Sequence, residues 1–421
     1  MSNMDSLNKQ KIKDFFLKKS KVFCMLPWIH LHTTPYGTAA PCCIAESCNE
    51  TTGVGNSRTQ SLIELVNSDK MKQLRLDMLG SKENKECVKC YQHDKQNIQS
   101  SRVATIDEYK EYFDEVLPNT NPDGSLKEFK MRYYDIRFSN ICNFKCRTCG
   151  SGFSSQWEQE DLKSKVSWAR PIPKNDNPNF LEEVKNQISN LKTAYFAGGE
   201  PLITEEHYVL LEEMIRKKST KVILRYNTNL SNLKFKDKDL LSLWKQFEHP
   251  INVYASIDHY GERAEYIRHG TNWAQIEENL LIVKKQPFID FRMNTVLSIF
   301  NFCTIGNFYQ YLLDKNLYTN KDRVYTLYNM SGPEYLTAHV LPEKFKMIGK
   351  NSLESAISLL EKNHFNSWHL GQLKDALPWA LLLNTWNEQK DFFRNEVLRL
   401  DKLRGESFEK VFPEYAELLD F

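Results

Sequence analysis

The sequence predicts an α/β fold: a partial (β/α)6 TIM-like barrel, with a small β-hairpin and helix module before it and a helical C-terminal region after it. Three observations lead there. From residue 130 onward, six short apolar segments alternate with six helical stretches, the pattern of βα units around a parallel sheet. Six units are too few for the usual eight-fold closure, so the barrel is expected to stay open. Ahead of them, residues 28–42 carry one hairpin pattern, and beyond residue 342 the chain reads as mostly helical.

Residues 1–22 hold six lysines against Asp5 and Asp14. With Ile12, Phe15 and Phe16 at helical spacing, they read as a solvated amphipathic arm. Residues 23–116 form the small module. In it Trp28 to Thr34 reads as a strand, Pro35-Tyr36-Gly37-Thr38 as a turn, and a short strand returns to Cys42. Leu62, Leu65, Val66, Met71, Leu74, Leu76 and Met78 mark a helix ending at Gly80. Residues 117–126 are turn-rich and suit a linker. The barrel, 127–340, is expected to have strands at 132–138, 192–196, 221–227, 251–257, 289–297 and 323–328. Its helices are expected at 152–165, 178–190, 204–218, 236–247, 273–285 and 303–314. Residues 341–421 form the helical C-terminal region.

Composition narrows the function. Hydrophobic residues make up 41% and charged residues 26% of 421, enough for a buried core. The formal charge of +2 excludes the overall basicity of a dedicated nucleic-acid binder. No apolar run reaches the roughly 18 residues that span a bilayer, so no membrane partner is expected. Ten cysteines are present, nine of them at or before Cys149, and Cys303 is the single one beyond it. In a large protein of a reducing, cytoplasmic compartment, clustered thiols point to metal or redox chemistry.

The sharpest cluster is Cys142-Asn-Phe-Lys-Cys146-Arg-Thr-Cys149, directly after the first barrel strand. Three thiolates at this spacing can ligate three irons of a [4Fe–4S] cube and leave the fourth open. A loop after a strand of a parallel barrel lies at its C-terminal mouth, where active sites form. A zinc knuckle is the plainer reading of the same residues.

These cysteines resemble the signature of the radical S-adenosylmethionine (SAM) superfamily. Further segments match in order. Ala197-Gly198-Gly199-Glu200-Pro201 resembles the family's Gly-Gly-Glu-Pro motif, which by resemblance holds the methionine amino group of SAM. Tyr226-Asn227-Thr228-Asn229 resembles the next strand-end segment, and Ala255-Ser256-Ile257-Asp258 with Ile267-Arg268-His269-Gly270 the one after. The resemblance implies SAM contacts from Gly198, Gly199, Glu200, Pro201, Asn229, Ser256, Asp258, Arg268 and Asn294. Arg268 is assigned to the SAM carboxylate, which a guanidinium can clamp with two parallel bonds. Asp258 reads equally as a cap for the helix after it. One position departs from the family: the residue before the third cysteine, often aromatic, is Thr148.

Cys24, twelve residues, Gly37, four residues, Cys42 resembles the opening of the superfamily's auxiliary-cluster (SPASM or twitch) module, and Cys87-x2-Cys90 supplies a second pair. Cys24, Cys42, Cys87 and Cys90 would then bind one fully ligated auxiliary [4Fe–4S] cluster, with Cys43 able to exchange with Cys42 and Cys48 close enough to be an alternate. Because no cysteine lies between Cys90 and Cys142, the module looks like the shorter twitch type, placed before the barrel although it commonly comes after it. Two cysteine pairs could instead make a zinc ribbon. His30 and His32 share a strand face and read as packed side chains.

The resemblance therefore implies an enzyme with two clusters and SAM. It would cleave SAM reductively and abstract hydrogen from a substrate, with an electron donor such as flavodoxin or ferredoxin as partner. A peptide or protein substrate is the first expectation, and a sugar, nucleotide derivative or other small molecule the second. A zinc-binding interaction protein without turnover is the competing class.

Overall fold

The computed structural model describes residues 3–49, 52–166, 171–172, 177–320, 325–365 and 367–420. Nine strands form one sheet: β1 (His30–Thr33), β2 (Thr38–Ala40), β3 (Gly55–Asn56), β4 (Tyr133–Ile136), β5 (Thr193–Phe196), β6 (Ile223–Thr228), β7 (Ile251–Ser256), β8 (Ile289–Leu297) and β9 (Tyr325–Asn329). Their order is β9-β8-β7-β6-β5-β4-β1-β2-β3. The run from β4 to β9 is parallel throughout and steps one strand at a time, as a partial barrel requires. All six expected barrel strands are present; residues 323–324 of the last expectation lie outside the described residues.

Strand faces divide cleanly. β6 and β7 alternate half-buried and buried residues. Leu224, Tyr226, Val253 and Ala255 pack into the core, where Phe196, Tyr226 and Trp244 stack at 4.9 to 5.1 Å. The opposite face sets polar groups in register: Arg225, Asn252 and Asp290; then Asn227, Tyr254 and Arg292; then Ser256, Asn294 and Thr326. Period-two patterning thus gives the sheet one apolar and one hydrogen-bonding surface.

The N-terminal module is not a separate bead. β1 pairs antiparallel with β2 as the hairpin pattern predicts, and it also pairs parallel with β4. The auxiliary module therefore continues the barrel sheet. Its helix Ser101–Tyr109 caps the N-terminal ends of the strands, because Glu108 accepts from Thr193 and, at 2.8 and 3.1 Å, from Arg225.

Four expectations are corrected. Trp28 and Ile29 belong to a helical turn, Leu26–Ile29, with Pro27 in the first turn where its missing N–H costs nothing. The helix expected to end at Gly80 is two, Leu62–Val66 and Asp69–Leu79, because Ser61 and Glu64 form a capping box and the chain restarts after Ser68. The helix expected at 236–247 shrinks to Leu240–Trp244, preceded by a tight ladder of Lys234–Phe235 on Lys238–Asp239. Residues 117–126 are a packed turn: Arg75, fully buried, donates to the carbonyls of Pro27, Gly124 and Val66. The C-terminal region is helical as expected, with Glu343–Lys362, Ser367–Leu381, Trp386–Arg404 and Phe408–Val411. Among the described residues, no helix is long and apolar enough to cross a membrane.

Candidate metal and SAM centre

The loop carrying Cys142, Cys146 and Cys149 leaves the C-terminal end of β4. Lys145–Cys146 pairs antiparallel with Arg268–His269, placing Arg268 opposite Cys146. Arg268 Nη1 lies 3.9 Å from Cys146 Sγ, and Nε lies 2.9 Å from Asp258 Oδ2. Asp258 is buried and its other oxygen accepts from Val296 N at 2.9 Å. Asp258 is therefore not the cap of the next helix, which starts after Tyr260. It holds the guanidinium that sits beside the cluster loop.

The Gly-Gly-Glu-Pro segment grips the same loop from the other side. Gly198 has φ 125°, a conformation open to glycine. A Cβ on Gly199 would overlap the Ile141 carbonyl oxygen, and Glu200 N donates to that oxygen at 2.7 Å. The Glu200 carboxylate is buried and accepts from Thr228 Oγ1 at 2.7 Å, Asn229 N at 2.6 Å and Leu202 N at 3.0 Å. Burial nonetheless pushes its pKa up to about 7. Asn229 donates to Asn143 Oδ1 at 3.0 Å, tying the end of β6 to the cysteine loop. Pro201 is buried in the turn just beyond. Ser256 and Asn294 are register partners further along the polar face. Asn294 donates to Asn227 at 3.3 Å, and its buried Oδ1 has no partner.

The second thiol set surrounds one cavity. Cys24, Cys42, Cys87 and Cys90 line it together with apolar Leu26, Leu74 and Met78. Cys43 is exposed and does not line it. Cys48 bonds the Cys42 carbonyl at 3.0 Å. Cys303 is buried, with Sγ 3.2 Å from the Phe345 carbonyl.

The donor chemistry fits iron–sulfur clusters. Burial pushes the Cys87 and Cys146 thiols up to about 12, and burial, joined by the neighbouring sulfurs, raises Cys24 and Cys142 further. Thiolates in such places are stabilised when a cationic metal is bound among them. Among the described residues, no three His, Cys, Asp or Glu side chains converge on a point that could hold a single ion. A four-iron cluster takes its thiolates on separate irons rather than at one point. The orphaned Asn294 Oδ1 is compatible with a ligand lying along the same mouth.

His32 is packed and hydrogen-bonded, as the sequence reading has it, but its partner was not foreseen. Its Nδ1 lies 2.9 Å from Asp135 Oδ2, and both groups are buried where β1 meets β4. His30 stacks on Tyr133 at 4.6 Å. The signal for this pair was the alternation of histidines itself, which becomes informative only once β1 is known to join the barrel.

Comparison with known proteins agrees with this geometry. The family model described as an iron–sulfur cluster-binding domain, SPASM, matches residues 24–91, and that of the radical SAM superfamily matches residues 136–311. Among curated proteins none matches the chain in sequence. Similar solved structures include native anSMEcpe with bound AdoMet, at 19% identity and TM-score 0.39, covering 56% of this chain and 62% of that one. Another is Streptococcus suis SuiB bound to precursor peptide SuiA, at 12% identity and TM-score 0.37, covering 74% and 67%. The chain thus spans less than two thirds of the anSMEcpe length. With both cysteine sets inside the matched segments and one sheet joining them, the chain carries a radical SAM domain over residues 136–311 and a SPASM iron–sulfur cluster-binding domain over residues 24–91.

Proposed function

We propose that this protein cleaves SAM reductively and abstracts hydrogen from a bound substrate, with Cys142, Cys146 and Cys149 holding the open cluster and Cys24, Cys42, Cys87 and Cys90 the auxiliary one. The observation that carries the reading is convergence. The cysteine loop, the Gly198-Gly199-Glu200 turn, Asn229 and Arg268 meet at the C-terminal ends of adjacent parallel strands.

When bound, the cluster and SAM supply an electron and a 5′-deoxyadenosyl radical able to take hydrogen from an unactivated C–H bond. The chain's residues bind and orient. Gly199 lets the backbone of the motif lie against the cysteine loop, and Glu200 locks the ends of β5 and β6 together through Thr228 and Asn229 while Leu202 N fixes its own turn. Arg268, steadied by Asp258, offers its remaining guanidinium edge to a carboxylate at the mouth. Ser256 and Asn294 offer hydroxyl and amide groups suited to ribose hydroxyls. The auxiliary cavity brings four thiols together among apolar groups and Glu86, Lys89 and Arg102, and four thiols favour a fully ligated cluster that relays electrons or stabilises the module rather than one that binds substrate.

A peptide or protein segment is the first substrate class. The row of Asn227, Asn252, Tyr254, Ser256 and Arg292 on the polar sheet face favours a second reading, a hydroxyl-rich small molecule such as a sugar or nucleotide derivative. A flavodoxin or ferredoxin would reduce the cluster in a cytoplasmic setting, and all ten cysteines are unbridged.

The test is anaerobic purification, then dithionite reduction with SAM. About eight irons per chain and release of 5′-deoxyadenosine are expected. Deuterium carried into 5′-deoxyadenosine from labelled peptide or sugar candidates identifies the substrate class. A colourless zinc protein that leaves SAM intact overturns the proposal.

A further inference from the structure

The far end of the chain reaches the cysteine loop by three routes. The first is Arg147, which lies between Cys146 and Cys149 in sequence and is buried. Its Nη2 donates to Asp401 Oδ1 and to Glu406 Oε2, each at 2.6 Å, and its guanidinium lies 3.7 Å from the Tyr266 ring centroid. The second is Glu160, which pairs with Lys145 and accepts from Arg404 Nη2 at 2.7 Å. The third is Arg404 again: it lies over the Trp157 ring at 4.6 Å, and the Trp157 indole N–H donates to the Cys146 carbonyl at 2.7 Å.

The same acids hold the opposing strand of the ladder. His269 Nδ1 lies 2.6 Å from Glu406 Oε1, and Tyr266 OH donates to Asp401 Oδ1 at 2.8 Å. Both carboxylates are fixed by the helix end that carries them. Gly405, at φ 67°, terminates the helix Trp386–Arg404; Glu406 N then returns to the Asp401 carbonyl at 3.0 Å, and Phe408 N donates to Asp401 Oδ2 at 2.7 Å. A buried guanidinium without counter-charges is strongly unfavourable, so the loop reaches this position only with Asp401 and Glu406 docked.

We propose that the segment Asp401–Glu406 is a positioning element for the SAM-binding cluster, and that its two carboxylates, acting through Arg147 and His269, set where Cys146 lies relative to Arg268. It rests on the reading of Cys142, Cys146 and Cys149 as the open-cluster ligands. None of these groups touches the reacting atoms. They act through the cysteine loop, as outer-shell partners act on metal ligands.

The test uses the full chain reconstituted anaerobically with iron and sulfide, comparing Arg147→Met, Arg147→Lys and Glu406→Gln with the unaltered protein. Electron paramagnetic resonance of the reduced protein is recorded with and without SAM, alongside SAM equilibrium binding and thermal unfolding. In Arg147→Met, SAM affinity is expected to fall about 10- to 100-fold and the SAM-induced change in the open-cluster signal to be altered, with the auxiliary signal unchanged. Arg147→Lys keeps the charge but loses the fork and should recover only part of the affinity. Glu406→Gln should give a smaller loss of the same kind; being partly exposed, it also serves if Arg147→Met does not fold. Native SAM affinity and native spectra in Glu406→Gln and Arg147→Lys overturn the proposal. Equal loss of both cluster signals also overturns it, since the defect is then one of folding. If Cys146→Ala leaves the open-cluster signal in place, the ligand reading beneath the proposal fails instead.

Discussion

The two thiol sites of this protein are built in opposite ways. The auxiliary set lies inside the module, with Leu26, Leu74 and Met78 around it alongside Glu86, Lys89 and Arg102, and its four cysteines come from three separate stretches. The mouth set lies on a single eight-residue loop, with Cys149 exposed, and is held by ion pairs and by backbone contact with Gly199. A site that is only to keep its cluster can be sealed by packing. One that must admit a ligand needs an open side, and its order then has to come from charged and hydrogen-bonded neighbours. The contrast matches the structural or relay role proposed for the first site and the catalytic role proposed for the second.

The comparison breaks if the sites are not independent. Cys146→Ala should abolish SAM cleavage and remove about half the iron. Paired replacement of Cys87 and Cys90 by alanine should remove the other half and leave SAM cleavage by the open cluster detectable. Iron and sulfide analysis with 5′-deoxyadenosine release checks both, and loss of the same signal in both variants would merge the two sites. Next in size is Gly199→Ala, whose methyl overlaps the Ile141 carbonyl. It should displace the loop enough to lower SAM binding by about tenfold or more, read by equilibrium binding, while the auxiliary cluster persists.

Asp135→Asn probes the seam between module and barrel. Burial alone would raise the Asp135 pKa, but His32 and Arg137 more than offset it and hold the carboxyl well below its usual range. Its stabilising contribution is therefore present above the unfolded carboxylate pKa of about 4 and lost as the pH falls below it. The variant should lose about 3–5 kcal/mol at neutral pH and show a shallower acid transition in denaturation series at several pH values. Cys43→Ser should have the smallest effect, leaving the iron count unchanged because Cys43 lies outside the auxiliary cavity. A loss of about four irons there would replace Cys42 by Cys43 in the ligand set.

Much of this was legible in sequence because it is local. The C-x3-C-x2-C spacing, the Gly-Gly-Glu-Pro turn and the six strand patterns are each complete within a few residues. What was hidden depends on distant pairing. Trp28 and Ile29 looked like strand residues because aromatic and β-branched side chains favour strands, yet Pro27 starts a helical turn there. The tie of Asp258 to Arg268 becomes apparent only when the ladder brings Arg268 against Cys146. The C-terminal region carried no readable motif because Asp401, Arg404 and Glu406 are ordinary helix-end residues until Arg147, Trp157 and Glu160 meet them more than 240 positions away.

The double pairing of β1 has a consequence for how the chain comes to fold. A parallel strand normally waits for a neighbour supplied by a later crossover, and long-range pairing of that kind is slow. Here β4 finds its neighbour already made, since the hairpin of β1 and β2 precedes it in the chain. During synthesis, which proceeds from the N-terminus, the hairpin can act as the template on which the barrel is laid down strand by strand. It also leaves β4 without a bare edge to recruit a second molecule. Placing the cluster module first thus gives the barrel a starting surface as well as a second cluster.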